Sequence, residues 1–203
     1  MSTNTTSNQI QIEEFEKSLQ AMGEIYKQVL GQLMALKGTV EVDGLTTLLR
    51  RDSFMSRLGR ELIEARCAGT ELHLMMVDLD HFKKVNDTFG HQAGDEVLER
   101  VSQLVKNYLR PTDLAGRYGG EELIVAVECD EATARIIAER IRKAVEQVEF
   151  CTLDGAPFSV TLSLGMASSR QCGYDARSLI AKADAALYSA KRQGRNRVLV
   201  DAA

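Results

Sequence analysis

The sequence predicts an α+β fold: a central sheet containing antiparallel strands, flanked by helices, behind an N-terminal coiled-coil helix. Three observations predict it. An apolar heptad repeat runs through residues 12–40. Beyond Asp43, short apolar runs alternate with stretches of helical periodicity. Two of those runs, at 114–118 and 123–127, bracket a Gly-Gly pair, which marks a tight turn between antiparallel strands.

The first residues are polar and carry no positive charge. Residues 1–9 therefore read as a disordered tail rather than a secretory signal, and the expected location is cytoplasmic. Residues 10–42 form the expected stalk. Ile12, Phe15, Leu19, Met22, Tyr26, Val29, Leu33, Leu36 and Val40 follow in steps of three and four, which keeps one apolar seam along a helix. Ile25 and Leu30 widen the seam and leave room for a bundle of more than two helices. Gly23, Gly31 and Gly38 lie off it and weaken the isolated helix. A single amphipathic helix packed on its own domain is the plainer reading. A repeat sustained over about four heptads favours a parallel coiled coil that makes a homodimer.

The remaining domain is expected over 43–203. Residues 53–68 read as a helix, with Phe54, Leu58, Leu62 and Ala65 on one face. Residues 72–77 read as a buried strand, and 92–109 as a helix carrying Val97, Leu98, Val101, Leu104, Val105 and Leu109 at helical spacing. After the two strands comes a helix at 131–148, a strand at 158–167, a helix at 177–192 and a last strand at 198–200. The order α-β-α-β-β-α-β-α-β closes most simply as a sheet with helices on one face.

Composition narrows the function. In 203 residues, 44% are hydrophobic and 27% charged, as in folded soluble proteins. The apolar runs fall far short of the roughly 20 residues a spanning helix needs, so no membrane insertion is expected. A net charge of −4 disfavours a general nucleic-acid partner. Cys67, Cys129, Cys151 and Cys172 form no CxxC pair and read as reduced, mostly packed thiols. His73, His81 and His91 lack zinc-site pairing, and His73, inside a strand-like run, reads as structural.

Three segments carry candidate chemistry. Asp78-Leu79-Asp80-His81-Phe82-Lys83 follows the buried strand, and carboxylates ahead of a lysine suit a divalent cation and a phosphate. Gly119-Gly120-Glu121-Glu122 places two carboxylates on a tight turn that a ligand can approach closely. Lys191-Arg192-Gln193-Gly194-Arg195-Asn196-Arg197 follows an alanine-rich helix and could clamp a triphosphate. Taken singly, each is also what an ordinary charged loop, hairpin tip or helix C-terminus looks like.

Together, in this order, they resemble the GGDEF family of diguanylate cyclases. The resemblance spans about residues 43–200: Asp43-Gly44-Leu45-Thr46 at the opening, Val85-Asn86-Asp87-Thr88-Phe89-Gly90-His91 and Gly94-Asp95 after the first motif, Arg117-Tyr118-Gly119-Gly120-Glu121-Glu122-Leu123 at the signature turn, and Ala183-Asp184-Ala185-Ala186-Leu187-Tyr188 before the basic tail. Glu121 stands where the family name has aspartate and keeps the carboxylate. Leu123 replaces phenylalanine, and Thr47 and Arg50 depart from the usual Gly and Asn near the domain's start.

The resemblance implies a ferredoxin-like, nucleotide-cyclase-type fold and a nucleotidyltransferase that condenses two GTP into cyclic di-GMP. It implies Mg²⁺, with Mn²⁺ as a substitute, at Asp78, the Leu79 carbonyl, Glu121 and Glu122. Glu121 would deprotonate the attacking hydroxyl, and Lys83 would offset developing charge. Asn86 and Asp95 would read guanine, while Phe82, Lys83, Lys191 and Arg195 would hold the phosphates. Arg110 and Asp113, in Arg110-Pro111-Thr112-Asp113, sit at the offset of the family's product-inhibition site. Two rivals are a non-catalytic receptor of cyclic di-GMP or GTP and a pure dimerisation module. Retention of Asp78, Glu121, Lys83, Asn86 and Asp95 favours the enzyme.

Overall fold

The computed structural model describes residues 22–27, 41–152 and 155–201. Residues 22–27 are helical, with Met22, Ile25 and Tyr26 exposed. The expected tail, and the stalk apart from these six residues, lie outside the described residues. A separate compact unit spans Val42–Ala203.

In that unit the chain runs β1 (Leu49–Arg50), α1 (Arg51–Ala68), β2 (Leu72–Leu79), α2 (Phe82–Phe89), α3 (His91–Asn107), β3 (Leu114–Arg117), β4 (Glu122–Glu128), α4 (Glu131–Glu146), β5 (Phe150–Cys151), β6 (Pro157–Phe158), β7 (Leu162–Ser168), α5 (Ala176–Arg192) and β8 (Val198–Val200). Six strands form one mixed sheet in the order β1-β3-β4-β2-β7-β8. The inner pairings β3–β4, β4–β2 and β2–β7 are antiparallel; β1 and β8 add parallel edges. Strands β5 and β6 make a separate small hairpin.

Every residue of β2 is buried, so a one-sided sheet is excluded. Met75, Val77 and Leu79 join a core with Phe82, Val97, Val101 and Ile141 from α2, α3 and α4. Leu72, Leu74 and Met76 join a second core with Phe54, Leu58, Leu179 and Leu187 from α1 and α5. The expectation of helices on one face is thus corrected: helices cover both. The continuous apolar run of β2 is the physical reason, since a solvated face would need alternation. Each such aliphatic side chain contributes about 1.5–3 kcal/mol on burial.

Helix α5 lies directly on β7. A Cβ on Gly165 would overlap the backbone of Ala183 and Leu187, so only glycine admits this approach. The helix starts at Asp175, whose side chain accepts from the Ser178 amide at 2.8 Å. Asp130 caps α4 in the same way through Thr133. Such caps are each worth about 1 kcal/mol.

Three local expectations change. Helix α2 was not foreseen: its eight residues bury only Phe82 and Val85, too few to show a period. The strand expected at 158–167 is two pieces: Pro157–Phe158 pairs with β5 in the separate hairpin and Leu162–Ser168 pairs with β2, next to which the Asp80 amide donates to the Thr161 carbonyl at 2.8 Å. The cysteines are free, as expected, but Cys67 and Cys151 are exposed and only Cys172 is buried. Cys67 lies on the solvent side of α1, two residues past Ala65, the last buried residue of that helix. Among the described residues no helix is long and apolar enough to cross a membrane.

Candidate active site

Sheet register creates the site. In the β2–β4 ladder Asp78 lies opposite Glu122, so the end of β2 and the Gly119–Gly120 turn meet at one end of the two central strands. Glu121 immediately precedes Glu122 at that turn. From the other side, α5 ends here, and Lys191 Nζ lies 2.8 Å from Asp78 Oδ2. Residues 78, 121–122 and 191, far apart in sequence, share one place.

The electrostatics follow from crowding. Asp78 is 6% exposed. Burial pushes its carboxyl above the ordinary carboxylate range; the Lys191 ammonium pulls it back and the Asp80 charge pushes it further up. Glu122 is also raised, first by burial and then by Asp78, with Asp184 and Glu121 adding to it and Lys191 opposing. A cluster of carboxylates held near one ammonium attracts further positive charge.

The turn is held rigidly. The Arg117 Nε donates to the carbonyls of Gly119 at 3.3 Å and Gly120 at 3.1 Å, and its Nη2 donates to Gly120 at 2.8 Å. Its Nη1 reaches Asp43 Oδ1 at 3.1 Å. Burial raises the Asp43 carboxyl, but the Thr46 amide and hydroxyl and the Arg117 guanidinium outweigh it and leave the group below its ordinary value. On the other side of the turn, Arg51 lies 4.3 Å above the Tyr118 ring. Sequence reasoning gave Arg117 no such job. An arginine two residues before paired glycines, with an aspartate opening the domain, was the only signal available.

The other expected residues fall as follows. Phe82 is 7% exposed and anchors the first turn of α2; Lys83 beside it is exposed. His81, before them, takes a left-handed conformation (φ 59°) that turns the chain from β2 into α2. The Asn86 side chain lies against Gly94 of α3, where a Cβ would overlap its Oδ1, and Asp95 is the next residue of α3. Arg195, also left-handed at φ 63°, follows Gly194, close enough to lower the Asp78 carboxyl. Leu79 ends β2 with its side chain in the core. Asp80, the second carboxylate of the first motif, is turned away into hydrogen bonds with Thr161, Ser163 and Asn196.

Arg110 and Asp113 form a turn between α3 and β3. The Arg110 amide donates to Asp113 Oδ2 at 2.8 Å. Cavities of about 390 and 290 Å³ adjoin this turn on either side.

The candidate donors are all oxygen, a set that suits hard cations such as Mg²⁺ or Mn²⁺ better than zinc or copper. Among the described residues no three His, Cys, Asp or Glu side chains already converge as a metal cage. A magnesium-type ion commonly takes only one or two protein carboxylates, the rest of its shell coming from water and substrate oxygens. The residues present therefore fit such an ion.

Residues 40–197 match the family described as diguanylate cyclase, GGDEF domain. Diguanylate cyclase A of Treponema denticola is 42% identical over 160 residues, covering 77% of this chain and 43% of the relative. The chain thus spans less than half the length of that curated relative. The coiled coil and GGDEF domain of DgcB from Caulobacter crescentus, solved in complex with c-di-GMP, is 33% identical with a TM-score of 0.77, covering 92% of this chain and 98% of that one. The active GGEEF domain of a diguanylate cyclase from Vibrio cholerae is 31% identical with a TM-score of 0.71, covering 77% and 99%. The fold, the signature turn and these similarities agree: the chain belongs to the GGDEF-domain family of diguanylate cyclases.

Proposed function

We propose that the protein condenses two GTP into cyclic di-GMP with release of two pyrophosphates. The observation that carries this reading is the convergence of Asp78, Glu122 and Lys191 at one end of the central strands, with Glu121 on the adjoining turn. The activity of a Vibrio cholerae domain with glutamate in the same signature supports Glu121 as a working substitute.

Asp78, the Leu79 carbonyl and Glu121 would hold Mg²⁺, with Glu122 beside them. When bound, such an ion stabilises charge on the entering and leaving oxygens of phosphoryl transfer. Glu121 accepts the proton of the 3′-hydroxyl. That oxygen bonds to the α-phosphorus of the second GTP, the α–β phosphoanhydride bond breaks, and pyrophosphate leaves. The step repeats in the opposite sense to close the ring. Lys191 then exchanges its partner: it holds Asp78 before substrate arrives and phosphate oxygens afterwards, with Arg195 and Lys83.

Asn86 and Asp95 would select guanine. An ionised Asp95 is acceptor-only and matches the N1–H and N2–H donors; adenine lacks the N1–H and leaves the carboxylate unpaired. Neither side chain makes a hydrogen bond within the described residues, so both are available to a base.

Each domain holds one GTP, so two must face each other, and a stalk raises their effective concentration. The described helical residues expose Met22 and Tyr26 of the heptad seam, at 61% and 66%. The DgcB relative was solved with a coiled coil attached to its GGDEF domain, which supports the same arrangement over residues 10–42. Arg110 and Asp113 would bind product as an inhibitor. In that case Arg110→Ala abolishes inhibition by added cyclic di-GMP, and retained inhibition in the variant counts against the site.

The test is product analysis. Protein, GTP and Mg²⁺ should yield cyclic di-GMP, and Glu121→Ala should yield none. A wild-type protein that binds cyclic di-GMP tightly but releases no pyrophosphate would instead be a receptor.

A further inference from the structure

Asp80 lies in the middle of the acidic motif but its carboxylate is fully engaged inside the protein. It is 4% exposed. Its Oδ1 accepts from the Ser163 hydroxyl at 2.7 Å. Its Oδ2 accepts from the Thr161 hydroxyl at 2.7 Å and from the Asn196 backbone amide at 3.0 Å. A carboxylate holding three donors from two other segments is a tie between them, with little capacity left for a metal.

The third donor matters most. Arg195 and Asn196 are consecutive non-glycine residues in left-handed backbone, at φ 63° and 45°. Left-handed backbone is unfavourable for residues with a side chain, less so for Asn than for Arg, and two in succession persist when surroundings enforce them. Two anchors are visible. The Asn196 side chain accepts from Arg142 at 2.7 Å and donates to Glu146 at 2.7 Å, both on α4. Its backbone amide is held by Asp80. The turn so fixed carries Arg195 straight after α5, whose last turn carries Lys191.

We infer that Asp80 is a positioning residue: through the Asn196 amide it locks the turn that aims Arg195, beside Lys191, at the triphosphate, and it does so by hydrogen-bond geometry rather than by charge. The inference rests on the GTP reading for what Arg195 grips, while the lock itself is independent of that reading. Geometry and charge make opposite demands on substitution. In Asp80→Asn the single carbonyl oxygen can accept from Thr161 and Asn196 while the amide nitrogen donates to the Ser163 oxygen, so all three contacts survive without the charge. In Asp80→Glu the charge survives, but the extra methylene displaces the carboxylate in a packed site and the Asn196 contact is lost.

The experiment compares both variants with wild type by GTP kinetics, Mg²⁺ titration of activity, pyrophosphate binding, and hydrogen exchange at the Asn196 amide. Asp80→Asn should keep the GTP KM and the half-saturating Mg²⁺ within about threefold of wild type. Asp80→Glu should raise the GTP KM and weaken pyrophosphate about tenfold, speed Asn196 exchange by a similar factor, and leave half-saturating Mg²⁺ unchanged. Asp80→Asn with a strongly raised Mg²⁺ requirement, or with Asn196 exchange as fast as in Asp80→Glu, overturns the inference. Should Asp80→Glu fail to fold, the Asp80→Asn results decide alone. If wild-type protein consumes no GTP, the functional reading fails, and the Asn196 exchange comparison still settles the lock.

Discussion

Lys191 Nζ sits 2.8 Å from Asp78 Oδ2, so the cation expected to hold substrate phosphate is paired with a carboxylate expected to hold metal. The pair closes the site electrostatically without substrate. The pair relieves Asp78 only in part, since burial and Asp80 both oppose its charge.

Asp78→Asn is therefore expected to abolish turnover while stabilising the metal-free protein by about 1 kcal/mol, a trade of function against stability. Lys191 is partly exposed and can turn to water once its partner is neutral. Thermal melts without metal check this. A variant less stable than wild type contradicts the view that Asp78 is held against its own preference.

Arg117 binds both glycines of the signature turn and Asp43 at the domain's start. Arg117→Lys keeps the charge but loses the fork that reaches two carbonyls and a carboxylate together. The expected result is a loss of about 10²-fold in kcat with a modest change in melting temperature, because the turn carries Glu121 and errors there misplace the reacting groups. Steady-state kinetics beside a melt would show it. Asp43→Asn should give a milder loss of the same kind.

Gly94 leaves room for the Asn86 side chain. Alanine there overlaps Asn86 Oδ1, which can swing away, so the fold should survive and guanine recognition should not. Gly94→Ala is expected to raise the GTP KM about tenfold and to narrow the preference for GTP over ATP. Competition between the two nucleotides measures it, and an unchanged preference would separate Asn86 from base reading.

His73 is fully buried in β2, and neither ring nitrogen has a well-formed hydrogen bond. Burial lowers its affinity for a proton, although Glu71 at 3.6 Å, the Cys129 backbone, Glu131 and Asp130 pull the other way. A histidine depressed in the folded state binds its proton more readily when unfolded. Its contribution is thus present at high pH and is lost as pH falls below the unfolded value of about 6.5, by at most about 1.4 kcal/mol per pH unit. Asp43 is also depressed, here because the fold favours its charged form; it contributes above its unfolded value and loses that only in stronger acid, below about pH 4. Denaturant titrations at pH 8 and 5.5 should show the first loss, and His73→Gln should flatten it.

The sequence made much of this legible for identifiable reasons. Phe54, Leu58 and Leu62 mark α1 because they repeat at helical spacing, and Leu72–Leu79 marks a buried strand because no charge interrupts it before Asp78. Asp78, Glu122 and Lys191 could be named from their motifs, but only register and the end of α5 could show them meeting. Asp80 was hidden because a carboxylate in a motif looks the same whether it faces a ligand or three buried donors. The Arg117–Asp43 pair spans 74 positions, beyond any local pattern. Helix coverage of both faces was readable in β2 and was not drawn from it.

The most direct test of the central claim is the nucleotide balance after incubating the full chain with GTP and Mg²⁺, beside Glu121→Ala. Cyclic di-GMP with two pyrophosphates per molecule, falling by about 10³-fold or more in the variant, is the predicted result. Wild-type protein that leaves GTP intact at concentrations where chains pair, or a variant that turns over as fast, would contradict it.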